Sequence, residues 1–168
     1  FGKTVMANML GAFLTKSAAT AKLFAQLKIG RDAEAMQHIN QYNVIYIDFS
    51  RISSNDYQSY IDNIADALKK DLHKAYPDVD YRAAGGVAED LERITAATGE
   101  RFIFIFDEWD AIFHAAFISE DDRKKYLLFL KDLLKDRVYV QLAYMTGVLP
   151  ISKYTSGSEL NTFAEYNM

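Results

Sequence analysis

The chain has 168 residues, half of them hydrophobic and only two of them proline, which suits one folded domain with a sizeable core and argues against intrinsic disorder. A formal charge of -4 argues against a broad basic surface for nucleic acid, and the absence of cysteine excludes disulfides and thiolate metal sites. His38, His73 and His114 lack zinc-ligand spacing, and no apolar run reaches the roughly 20 residues of a membrane span, so a soluble, cytoplasmic protein is the expectation.

Phe1-Gly2-Lys3-Thr4 opens directly into an apolar-periodic segment. Val5, Met6, Met9, Leu10, Phe13 and Leu14 recur at helical spacing, which predicts a helix over 4–14. Gly-Lys-Thr at a helix start has the form of the second half of a phosphate-binding loop. Free backbone N–H groups and the positive end of the dipole favour an anion there. Lys3 would reach β- and γ-phosphates, and the Thr4 hydroxyl would complete a Mg²⁺ coordination sphere. Taken alone, the tripeptide is more often an ordinary surface helix start. The first glycine of G-x-x-x-x-G-K-[ST] and the strand before it are not in this sequence.

Residues 17–41 are mixed, with Leu23, Phe24, Leu27 and Ile29 ended by Gly30, and read as two short helical pieces. Val44-Ile45-Tyr46-Ile47-Asp48-Phe49 is rich in β-branched and aromatic residues and predicts a strand. Asp48 reads either as a site residue or as a cap for the polar loop that follows. Ser54 or Asn55 is a plausible N-cap for a long amphipathic helix with Tyr57, Tyr60, Ile61, Ile64, Leu68 and Leu72 on one face. Lys69, Lys70, Asp71 and Lys74 fall on the other face, and Pro77 stops the helix. His73, near its end, reads as a partner for the helix dipole. A loop over 78–86, punctuated by Gly85-Gly86, leads to a helix over 87–98 with Gly99 as its C-terminal cap.

Phe102-Ile103-Phe104-Ile105-Phe106 is an uninterrupted apolar run, the signature of a strand buried on both faces of a parallel sheet. Asp107 and Glu108 follow at its carboxyl end, where open α/β sheets place their ligands. Either acid, taken alone, reads equally well as structural: a cap for the next turn, or a solvated charge. Trp109 reads as a packing residue. A short helix or turn over 111–117 and acids at Glu120-Asp121-Asp122 precede a helix with a buried stripe of Tyr126, Leu127, Leu130, Leu133 and Leu134. Residues 139–145 form another strand, ending in Thr146-Gly147. The alternating order, with no repeat or linker, points to one α/β layered domain over 1–168.

The combination carries more than its parts. A Gly-Lys-Thr helix start, a buried strand ending in Asp-Glu and a later strand ending in a hydroxyl residue occur in an order that brings them to one sheet edge. Gly2, Lys3 and Thr4 would bind phosphate, Thr4 and Asp107 would hold Mg²⁺, Glu108 would orient water, and Thr146 would position the γ-phosphate of ATP. The expected fold is a three-layer P-loop NTPase-type (ASCE-like) parallel sheet with flanking helices. No arginine is assignable as a finger: Arg51, Arg82, Arg93, Arg123 and Arg137 read as surface charges, and Lys153 is a candidate second phosphate contact.

Phe-Gly-Lys-Thr-Val-Met-Ala-Asn-Met-Leu at 1–10, the segment 44–49, Phe-Ile-Phe-Ile-Phe-Asp-Glu-Trp-Asp-Ala-Ile-Phe at 102–113, Ala-Tyr-Met-Thr-Gly-Val-Leu-Pro-Ile at 143–151 and the closing segment 160–168 together resemble the bacterial AAA-ATPase-like domain. The resemblance spans essentially the whole chain. It implies Gly2, Lys3 and Thr4 as Walker A, Asp107 and Glu108 as Walker B, and Thr146 as the sensor. It also implies a PD-(D/E)XK nuclease-like domain as a C-terminal partner in the full-length protein. The Arg-Pro-Arg-Arg run and the strand that usually precede Phe-Gly-Lys in the family are absent from this sequence, so a chain truncated at its N-terminal strand is expected. That strand would lie beside the one ending at Thr146, leaving an unpaired apolar edge and a tendency to form oligomers. The expected function is Mg-dependent ATP binding, with hydrolysis coupled to conformational change. The alternative is a nucleotide-gated regulatory switch with negligible turnover, and a third reading is a structural domain with a fortuitous Gly-Lys-Thr.

Overall fold

In a computed structural model, residues 2–149 are described. The sequence expectations for Lys153 and for the closing segment 160–168 lie outside them. The elements follow in chain order as α1 (Lys3–Leu14), α2 (Ala21–Ala25), α3 (Ala33–Met36), β1 (Asn43–Asp48), α4 (Tyr57–Ala75), α5 (Val87–Thr98), β2 (Phe102–Asp107), α6 (Glu120–Leu134) and β3 (Val140–Met145), with single 3₁₀ turns between some of them. β2 is buried along its whole length and pairs in parallel with β1 on one side and β3 on the other. The sheet order is therefore β1-β2-β3. Among the described residues, the outer edges of β1 and β3 pair with no further strand of the sheet.

Side chains alternate across a strand, so β2 feeds two different cores. Phe102, Phe104 and Phe106 join Tyr60, Ile64, Leu91, Ile94, Tyr126 and Leu130 beneath α4, α5 and α6. Ile103 and Ile105 meet Ala7, Phe13, Leu14 and Phe24 on the face covered by α1 and α2. Each fully buried side chain of this size contributes roughly 1.5–3 kcal/mol. Two layers of helix around one parallel sheet thus follow from the pattern of a single strand.

Several local expectations need correction. The buried face of α1 is Ala7, Gly11, Phe13 and Leu14, while Val5, Met6 and Met9 are exposed. The small residues let the helix lie close to the sheet: a Cβ on Gly11 would stand 3.5 Å from the Tyr46 ring and 3.8 Å from Ile105. Residues 17–41 hold three short helical pieces, not two, the middle one a 3₁₀ turn at Lys28–Arg31. The N-cap of α4 is Asp56, whose carboxylate accepts from Ser59 N–H at 2.9 Å; neither Ser54 nor Asn55 takes that place. β3 also carries a bulge, because Phe102 pairs with Val140 but Ile103 pairs with Leu142.

Other boundaries agree with the reading. Gly99 caps α5 in the left-handed conformation at φ 73°, where a side chain would be strained. Ser119 and Asp122 form a reciprocal capping box at the start of α6. At the amino ends of the strands, Glu100 accepts from Lys16 at 2.7 Å, from Asn43 at 3.1 Å and from the Tyr76 hydroxyl. That carboxylate ties the end of α1, the start of β1 and the end of α4 to the start of β2.

Candidate functional site

Parallel strands bring their carboxyl ends to one edge, and the register sets who meets whom. Asp48 pairs with Asp107 across β1 and β2. Asp107 is 1 % exposed. One of its oxygens accepts the Thr146 hydroxyl, and the other lies 3.5 Å from the Tyr46 hydroxyl. Burial first, then the negative charges of Asp107 and Asp48, push the Tyr46 hydroxyl up to about 12. It therefore stays a proton donor at neutral pH.

Thr146 locks the tips of β2 and β3 together. Its N–H donates to Phe106 O at 2.8 Å, its carbonyl accepts from Trp109 N–H at 2.9 Å, and its Oγ1 accepts from Glu108 N–H at 3.3 Å. Glu108 adopts φ 49°, a left-handed conformation uncommon for a non-glycine residue. The strand turns sharply there, and Glu108 is exposed while Asp107 and Trp109 on either side are buried.

Lys3 joins this edge from the opposite end of the sequence: its ammonium donates to the Gly147 carbonyl at 2.5 Å. Gly2 precedes it with φ 101°, a conformation that glycine adopts freely, and among the described residues no side chain caps the first N–H groups of α1. Lys3, Asp107, Glu108 and Thr146 are thereby linked through direct hydrogen bonds or shared backbone. Thr4 is exposed on the first turn of α1, and among the described residues no hydrogen bond ties it to Asp107.

Among the described residues no group of three His, Cys, Asp or Glu side chains is arranged to hold a metal ion. Mg²⁺ does not require one, since it is commonly held by one or two carboxylates with phosphate oxygens and waters. The buried Asp107 carboxylate has one oxygen with only a long contact, and hydroxyl and carboxylate oxygens are the hard donors this ion prefers. The donor chemistry fits.

Two residues carry more than sequence reasoning gave them. Asp110 is 2 % exposed and accepts from the N–H groups of Val148 at 2.9 Å and Leu149 at 2.7 Å. Its apolar neighbours Trp109, Ala111 and Ile112 were the one available signal that this acid is buried. Arg123 is half-buried, lies 5.7 Å over the Phe113 ring and donates to Phe113 O at 3.3 Å, so it is not a plain surface charge. Asp48 takes the capping role, accepting from Ser50 N–H at 3.1 Å and pairing with Arg51 at 2.8 Å. Trp109 packs as expected, edge-on to Phe113 at 5.6 Å. His73 lies in the last turn of α4, as expected, and its side chain also meets buried Asp90 at 2.7 Å and stacks on Tyr81.

A helix-flanked parallel sheet with lysine, carboxylate and hydroxyl groups gathered at its strand tips defines an α/β protein compatible with a P-loop-like fold. Residues 1–155 match the AAA-ATPase-like family model, described as "Predicted AAA-ATPase", and the chain belongs to that family. Family membership supports a role in ATP binding. No curated protein matched the chain, and no solved structure matched it. Among the described residues no helix is long and apolar enough to cross a membrane.

Proposed function

We propose that the strand-tip cluster is an ATP site of the ASCE P-loop type and that the protein hydrolyses ATP with Mg²⁺. The observation that carries this reading is the meeting of three distant segments: Lys3 on Gly147, and Thr146 on Asp107. Lys3 and the N–H groups at the start of α1 hold phosphate. Thr4 and Asp107 hold Mg²⁺, which when bound neutralises phosphate charge. Glu108, exposed at the sharp turn, orients the attacking water, and Thr146 positions the γ-phosphate. Phosphoryl transfer needs mainly positioning and charge neutralisation, so this small set suffices.

The chain acts as one domain in this reading. The edge of β3 that is unpaired among the described residues, with Leu142 49 % exposed, and the exposed Val5, Met6 and Met9 of α1 support a further strand beside β3. The bacterial setting, the cytoplasmic location and the C-terminal nuclease-like domain implied by the resemblance belong to the same proposal.

A second reading, a nucleotide-gated switch with negligible turnover, is favoured by one contact. Lys3 links α1 to the loop after β3, so a phosphate competing for that ammonium alters the loop. Measuring ATP affinity and steady-state phosphate release on one sample, for wild type and Glu108→Gln, separates the two. Hydrolysis predicts wild-type turnover that Glu108→Gln removes while ATP still binds. Tight binding with no release in either protein supports the switch. No Mg²⁺-dependent binding rejects both.

A further inference from the structure

We infer that Asp110 is a positioning residue for Lys3, acting through the backbone of the loop that follows β3; this rests on the reading of Lys3 as the phosphate-binding lysine. The chain of contacts is short. Asp110 is buried, and its Oδ2 accepts two successive N–H groups, from Val148 at 2.9 Å and Leu149 at 2.7 Å. Those donors fix the backbone immediately after Gly147, whose carbonyl receives the Lys3 ammonium. A carboxylate accepting backbone N–H groups makes charge-assisted bonds, stronger than neutral ones, and in a buried setting it leaves the loop little freedom.

Gly147 is confined from the other side. A Cβ there would stand 2.5 Å from Trp109 Nε1 and 2.7 Å from Asp110 Oδ1. Trp109 is itself held, donating its N–H to Thr146 O at 2.9 Å and accepting the Tyr126 hydroxyl on its carbonyl at 2.6 Å. The residues that follow Asp107 and Glu108 thus grip the loop that orients the lysine. Asp110 touches neither phosphate nor metal in this scheme. It sets the place of an oxygen, and the oxygen sets the place of the ammonium.

The test is a double-mutant cycle on the full chain, with inorganic triphosphate and Mg²⁺ as the calorimetric probe. Asp110→Ala should weaken triphosphate binding about tenfold when Lys3 is present, and should have no further effect in the Lys3→Ala background. A lower melting temperature with unchanged affinity overturns the inference, because a merely structural acid behaves that way. So does an equal loss in both backgrounds. If wild type does not bind triphosphate, or Lys3→Ala alone binds as well as wild type, the phosphate reading of Lys3 fails and the inference falls with it. Should Asp110→Ala not fold, Asp110→Asn keeps the shape and removes the charge. The same cycle with Asp110→Asn then decides, with a smaller but still Lys3-dependent loss expected.

Discussion

Thr146 and Asp107 lie 39 residues apart in the chain, yet the threonine hydroxyl donates to the carboxylate where two neighbouring strands end. The same oxygen accepts the Glu108 N–H, so one hydroxyl satisfies both acids' positions, one by side chain and one by backbone. Removing it leaves a buried carboxylate short of a donor, which costs about 1–3 kcal/mol or more. Thr146→Val should therefore lower stability by about that amount and weaken Mg²⁺-dependent nucleotide binding. Thr146→Ser should retain most of both. Thermal melts and nucleotide titrations on the two variants check it; equal behaviour of valine and serine would show that the hydroxyl does not matter.

Phe104 is fully buried at the centre of the sheet, edge-on to Phe106 with centroids 5.8 Å apart and close to Tyr139 at 6.1 Å. Truncation there removes a large side chain from a place where the surrounding helices cannot fully collapse. Phe104→Ala should cost about 3–5 kcal/mol, read as a lower urea midpoint with unchanged slope.

Tyrosine burial ties the stability of the fold to alkaline pH. Burial and nearby acids push Tyr46 up to about 12, and burial with the Asp122 charge does the same for Tyr57. A folded value above the unfolded one means that the fold retains these protons more firmly than the unfolded chain does. Their contribution is complete below pH 10, the ordinary tyrosine value, and is lost as pH rises through about 12. Stability should fall across that window, and the double replacement Tyr46→Phe with Tyr57→Phe should flatten the fall. Denaturant midpoints against pH measure the slope; an unchanged slope in the double variant would contradict the assignment.

The outer edge of β3 pairs with no further strand of the sheet among the described residues, and Leu142 on it is 49 % exposed. Edge strands that carry apolar side chains and unpaired backbone groups template association. Concentration-dependent self-association is expected for this chain, and Leu142→Lys should reduce it without lowering the melting temperature. Sedimentation velocity across a concentration series gives the answer. Leu142→Lys that associates as strongly as wild type would place the contact elsewhere.

Much of this fold was legible because apolar runs and caps are local signals. The five-residue run before Asp107 announced a doubly covered strand, and Gly99 and the acids at 120–122 marked helix ends. What escaped was decided across the chain. Val5, Met6 and Met9 have helical spacing but lie exposed, because Ala7 and Gly11, weak hydrophobes in sequence, permit the closer approach to the sheet. Asp110 looked like one acid among several, and only the arrival of residues 148 and 149 makes it a buried acceptor. His73 sits where a dipole partner belongs, as expected, but its contact with Asp90, 17 residues on, was not legible there. Of the candidate site, Lys3, Asp107, Glu108 and Thr146 come together, whereas Thr4 is not joined to Asp107 by a hydrogen bond.

The unequal faces of β2 have a consequence for tolerance to change. A slip of one residue along the sheet would send three phenylalanines into a space shaped for two isoleucines and draw those isoleucines into an aromatic one. Neither space accommodates the exchange, so the strand is keyed like a ratchet tooth, and the height at which Asp107 emerges is indexed by side-chain bulk several ångströms below it. Swapping Phe104 with Ile105 would keep hydrophobicity and total volume and still erase the key. The position of the strand tip is thus calibrated from inside the sheet, by residues remote from it.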